Sequence, residues 1–179
     1  MAHGDVPAEG EPRTLVAVFA SPVASYLMHF ARDAGYRAVL VEPDMTRATT
    51  EAAAQADGVA SRPDPSFADE HTDIVVCDHD RPELGDMLAF ALDCPARWIG
   101  IMGSPRHTGP HVAALAERGF DADAIARVHR PIGLNIGSKS PAEIAISTLA
   151  GLIADRHGRP GGFAFPKPAT AEPAEPATA

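Results

Sequence analysis

The chain has 179 residues, 45% hydrophobic and 22% charged, which suits one domain on a prior of roughly 100 to 200 residues each and excludes global disorder. Lys and Arg number 15 against 24 Asp and Glu, a net charge of -9, which repels phosphate backbones and anionic bilayers and excludes nucleic acid and membrane surfaces as first-choice partners. The two cysteines, Cys77 and Cys94, make neither a disulfide framework nor a cysteine metal cage, and point to reduced thiols in the cytoplasm.

The two ends differ from the middle. Residues 1–12 and 158–179 are rich in Pro, Gly, Ala and acids without periodic apolar content, so both are expected to be disordered around one folded domain at 13–157. The N-terminal residues lack the basic and apolar regions of a secretory signal. The longest apolar stretch, Ile144 to Ala154, falls short of the ~20 residues a membrane helix needs.

Along the chain, Leu15 to Phe19 reads as a first strand. Pro22 then opens a helix in which Val23, Leu27, Phe30, Ala31 and Ala34 recur at helical spacing, ended by Gly35, because Pro is tolerated where no N–H donor is needed. Arg37 to Val41 is a second strand, closing on Glu42, and Ile74 to Cys77 a third, followed by Asp78-His79-Asp80. Pro82 to Leu92 suits a helix, Trp98 to Met102 a strand, His107 to Arg118 a helix and Val128 to Pro131 a short strand. A last helix starts at Pro141, with Ser140 as cap and Glu143 completing a capping box. Strands alternating with helices predict an α/β, Rossmann-like, doubly wound and mostly parallel sheet, whose ligand crevice lies outside the carboxyl ends of the strands.

The first βα turn stands where a dinucleotide fold carries G-x-G-x-x-G, but Phe19 and Ser21 replace two glycines and only Ala24 suits the third position. Pro22 also removes an amide that would face phosphate. NAD(P) or FAD in the ordinary pose is therefore not the leading expectation. Glu42, where a carboxylate would meet ribose hydroxyls, reads better as a solvated strand-end acid.

Two later loops carry stronger signals. After the Trp98 strand, Gly103 permits a close approach, Ser104 can cap a helix or donate to an oxyanion, and Arg106 adds a fixed charge near a helix N-terminus, together a candidate phosphate seat. The run Arg130 to Glu143 gathers Gly133, Asn135, Gly137 and Lys139 before the capped helix, and glycine amides with Lys139 favour an anion. His79, between two acids at a strand end, is a candidate proton carrier or donor. His107 and His111 are four apart without a third metal ligand, and neither cysteine has a basic neighbour that would mark a nucleophile.

Trp98-Ile-Gly-Ile-Met-Gly-Ser104, Arg130-Pro-Ile-Gly-Leu-Asn-Ile-Gly137 and Ser140-Pro-Ala-Glu-Ile-Ala-Ile-Ser147, together with the strand ending at His79, resemble the C-terminal Rossmann-like domain of the XdhC/CoxI family over about residues 14–157. The resemblance implies an accessory protein, not a catalyst, that binds molybdenum cofactor and helps mature xanthine dehydrogenase or a related molybdenum hydroxylase. It also implies that His79, Gly103, Ser104, Arg106, Gly133, Asn135 and Gly137 line the crevice. Members usually carry a glycine fingerprint in the first turn, where this chain has Phe19, Ala20, Ser21 and Pro22, and an N-terminal CoxI-type domain. The chain is therefore expected to work with a separate CoxI-type chain, or as a paralogue of altered ligand choice, and a homodimer is open. Two rival expectations are an NAD(P)-dependent oxidoreductase using His79, and a non-catalytic protein-interaction module.

Overall fold

The computed structural model describes residues 13–104 and 109–161. Of the two ends expected to be disordered, residues 1–12 and 162–179 lie outside the described residues. Apolar β-branched runs form β1 (Arg13–Val18), β2 (Tyr36–Val41), β4 (Thr72–Val76) and β5 (Trp98–Ile101), each buried nearly throughout. Two short edge strands, β3 (Gly58–Ala60) and β6 (Val128–His129), complete one sheet of order β3-β2-β1-β4-β5-β6. Every pairing is parallel. Sheet order reverses between β1 and β4, so the ends of these strands flank the switch point at which such sheets bind ligands.

Side chains alternate across the sheet as the pleat requires. Leu15, Ala17, Ala38, Leu40 and Val75 pack against α1 (Pro22–Asp33) and α6 (Pro141–Arg156). Val16, Val18, Val39, Val41, Ile74, Val76 and Ile101 pack on the other face against α3 (Leu84–Asp93) and α4 (Pro110–Ala116). The result is a three-layer Rossmann-like α/β fold. The helix expected from His107 to Arg118 spans Pro110–Ala116, because extended Gly109 caps it and Pro110 takes its first position; residues 105–108 lie outside the described residues.

Four small elements have no counterpart in the sequence expectations: a 3-10 turn (Met45–Arg47), α2 (Thr50–Ala54), α5 (Ala122–Ala126) and β3. Each is five residues or fewer, too short to display a period, and β3 is held by its pairing with β2 rather than by apolar content.

Below the sheet, at the amino end of β4, fully buried Asp73 accepts from Arg97 Nε at 2.6 Å and Arg156 Nη2 at 2.9 Å. Arg97 also reaches Asp155 at 2.6 Å. These pairs bolt α6 to the sheet on the side away from the crevice.

Candidate functional site

The first βα turn is closed by its own neighbours. Phe19 sits fully buried at φ 71°, a left-handed conformation that a side chain rarely adopts. The Ala20 amide donates to Glu42 Oε2 at 2.9 Å, and the Ala24 amide to Ser21 Oγ at 3.1 Å. With Pro22 contributing no N–H, most of the amides that would greet a pyrophosphate are already spent.

Glu42 is not the solvated acid expected from its place at a strand end. It is wholly buried and accepts from the amides of Ala20 and Asp44 and from Arg81, Nη2 at 2.9 Å and Nη1 at 3.2 Å. The Arg81 guanidinium lies 4.6 Å from the Phe19 ring centroid and also meets Glu83 at 3.3 Å. Its hydrogen bonds to Glu42 hold its pKa above the ordinary arginine value. The local sequence did not reveal Glu42's state because its counter-charge comes from beyond β4. One buried ion pair thus ties together the loops after β1, β2 and β4.

At the end of β4, Cys77 is buried and its thiol is pushed up to about 12 by burial and, secondarily, by the charge of Asp78. Cys94 is pushed to about 11, again mainly by burial. Both shifts disfavour the thiolate, the nucleophilic form. His79 is half-buried, with Nε2 3.7 Å from the carboxylate of largely exposed Asp80.

At the end of β5 the backbone of Gly103 makes room for a side chain of the protein. A Cβ there would lie 2.7 Å from Arg130 Nε and 2.8 Å from Nη2. The Arg130 stem also passes Gly109, where a Cβ would approach Arg130 Cδ to 2.9 Å and collide with the His111 ring. Arg130 therefore spans the β5–α4 connection, and glycine is needed on both sides of it. His111 is buried, its Nδ1 has no hydrogen-bond partner among the described residues, and burial, then the positive charge of Arg130, lowers its pKa. Ser104 is exposed beside this arrangement. Arg106, expected to supply a charge here, lies outside the described residues.

The loop at 131–140 divides into two halves. Gly133 (φ 86°) is buried against α6, where a Cβ would meet Ser147 Oγ at 2.7 Å and the Thr148 amide nitrogen at 3.3 Å. Ser147 Oγ donates to the Leu134 carbonyl at 2.8 Å. Asn135, Gly137 and Lys139 are exposed, with open space around Gly137. The expected capping box is altered. Ser140 makes no side-chain cap bond; Ser138 Oγ instead accepts from the Ser140 amide at 3.0 Å and donates to Glu143. With the Ser140 amide already engaged, Glu143 turns to the Ser138 hydroxyl.

The structure thus places His79, Gly103 and Ser104 at the carboxyl ends of neighbouring strands. It commits Gly133 to helix packing and leaves Asn135, Gly137 and Lys139 facing outward. Arg130 was not singled out from sequence, although it opens the glycine-rich run, and His111 was weighed only as half of a metal-ligand pair with His107. Among the described residues no cluster of three or more His, Cys, Asp or Glu is arranged to hold a metal, and no helix is long and apolar enough to cross a membrane.

Residues 15–152 match the family described as the XdhC Rossmann domain. The uncharacterized protein YqeB of Escherichia coli (strain K12) is 39% identical over 72 residues, covering 40% of this chain and 13% of that protein. A crystal structure described as a xanthine dehydrogenase from Bacillus halodurans superposes with a TM-score of 0.65 at 24% identity, over 82% of this chain and 45% of that one. This chain therefore spans a small part of the first relative and under half of the second, and the second likeness is one of fold. The long match across sheet, rim loops and α6 establishes that the chain belongs to the XdhC Rossmann-domain family.

Proposed function

We propose that the chain is an accessory protein for maturation of a xanthine dehydrogenase-type molybdenum hydroxylase, and that it holds a phosphorylated pterin-type cofactor at the carboxyl rim of the sheet. The observation that carries the ligand class is the Arg130 guanidinium lodged against Gly103, both within the span that matches the family. That cation, the exposed Ser104 and the exposed Lys139 stand on the loops that follow β5 and β6, and they are the donors this reading assigns to a phosphate in a protein otherwise acidic. Molybdenum cofactor fits this set through its anionic phosphate, with Arg130, Ser104 and Lys139 as the residues that hold it. When bound, the cofactor supplies the metal centre that the client hydroxylase needs. The protein's own residues bind and orient its charged end.

Occupation of Glu42 by Arg81 disfavours the rival oxidoreductase, because a ribose diol finds no free carboxylate at the end of β2. A separate CoxI-type chain and the client hydroxylase are the proposed partners.

The test is to produce the full chain with a molybdenum source and measure bound metal and pterin. Metal and pterin are expected with the wild type. Arg130→Ala and Lys139→Ala should each weaken retention by about 1 to 3 kcal/mol, the scale of a charged hydrogen bond. A protein that purifies empty and fails to bind added cofactor overturns the proposal.

A further inference from the structure

A second concavity lies on the α1 side of the first turn, away from Arg130. A cleft of about 600 Å³ opens between α1 and the segment that follows β2, within the usual span of roughly 300 to 1,000 Å³ for small-molecule sites. Its floor is made of small residues, Ala20 and Ala52. One wall is a stripe of α1 in which Ser25, Tyr26 and His29 recur at helical spacing with Pro22. The other wall is Glu51 and Gln55, four residues apart on α2 and its C-cap. Arg47 and Thr49 stand at the amino end of α2.

The chemistry of these walls is specific. Tyr26 presents an exposed ring backed by Phe30, with ring centroids 6.0 Å apart and nearly parallel planes, and His29 leans on the same phenyl at 5.5 Å. That ledge suits a flat heterocycle. Among the described residues no hydrogen bond or ion pair engages the side chains of Ser25, Tyr26, Glu51 or Gln55. Arg47 is a fixed cation that meets Asp44 only at 3.6 Å and stays more than half exposed. The cleft therefore offers an aromatic ledge, an acceptor-only carboxylate beside an amide, and a positive end.

We infer that this cleft binds a small phosphorylated heterocycle through a 2-amino-4-oxopyrimidine edge, the edge shared by guanine and pterins. That edge presents a ring N–H and an exocyclic amine side by side, and a carboxylate such as Glu51 accepts both in charge-assisted bonds. Adenine presents an amine beside a ring acceptor and leaves one carboxylate oxygen facing a lone pair. Gln55 adds a donor for the oxo group, Tyr26 stacks, and Arg47 takes the phosphate. The site is separate from Arg130 and holds or fails independently of the rim proposal.

The experiment is calorimetric titration of the full chain with GMP, AMP, guanosine, a pterin monophosphate and inorganic phosphate. GMP should bind at least about tenfold tighter than AMP, the scale set by one charged hydrogen bond. Glu51→Gln should remove that preference, and Arg47→Ala should weaken GMP but not guanosine. GMP binding that Glu51→Gln weakens supports the inference, whereas pterin binding that Glu51→Gln leaves unchanged belongs to the rim site and counts against the cleft. Equal affinity for AMP and GMP, an unchanged preference in Glu51→Gln, or no binding of any probe at millimolar concentration overturns the inference. Glu51 is exposed, so its substitution tests the cleft without threatening the fold.

Discussion

Arg81 grips Glu42 with both terminal nitrogens, at 2.9 and 3.2 Å, in a place where Glu42 has no solvent exposure at all. Removing one partner of such a pair leaves a charge stranded in low dielectric. Arg81→Met should therefore cost about 3 kcal/mol in urea unfolding. Arg32→Met, which breaks the half-exposed pair with Asp57 at 3.2 Å, should cost about 1 kcal/mol or less. Similar losses for the two variants would show that the burial of the Glu42 pair carries no special penalty.

The same pair decides how the first turn responds to repair of its fingerprint. Phe19→Gly relieves the left-handed strain, worth about 1 to 2 kcal/mol, but deletes a fully buried ring worth about 3 to 5 kcal/mol. A net loss of about 2 kcal/mol is expected. NADH fluorescence should remain unchanged on titration with this variant, because Glu42 is still held by Arg81 and by the Ala20 and Asp44 amides. Saturable NADH binding would show that glycine alone opens the seat.

Two glycines of the 131–140 loop share a left-handed backbone and differ in surroundings. Gly137→Ala meets open space and should cost only the conformational strain, about 1 kcal/mol. Gly133→Ala adds a collision with Ser147 and the Thr148 backbone, and should cost about 3 kcal/mol by thermal or urea unfolding. The reverse order would mean that the loop does not rest on α6.

Acid sensitivity should trace in part to His111. Its folded pKa lies below the ordinary 6.5, through burial first and the Arg130 charge second. Above about pH 6.5 it is neutral in both states, and its contribution to stability is intact. As pH falls below that value the unfolded chain takes up the proton first, so stability declines until the folded pKa is passed. His111→Leu should fold about as well as wild type near pH 7 and lose less stability on acidification to about pH 5. Melting temperatures at the two pH values measure this, and equal losses would exclude His111 as a source.

Much of the fold was written locally. Pro22 behind the Ser21 cap, Pro141 at the start of the last helix, and uninterrupted apolar runs at β1, β2, β4 and β5 each act over a few residues, so those elements stand within about two residues of their expected limits. The short elements were illegible for the complementary reason: β3 exists because β2 offers it hydrogen bonds, not because Gly58-Val59-Ala60 prefers extension.

The site divides along the same line. Residue types and spacing alone identified the turns at the carboxyl ends of the strands, since a parallel βα repeat must place its connections there. Which groups those turns leave available was settled only in three dimensions. Charge and volume are compensated by whatever packs nearby, and Arg81 reaches Glu42 across 39 residues of chain, while Arg130 fills the space that Gly103 leaves empty. Local sequence determined the frame of the crevice; burial and long-range pairing decided which of its charges are spent on the fold and which remain for a ligand.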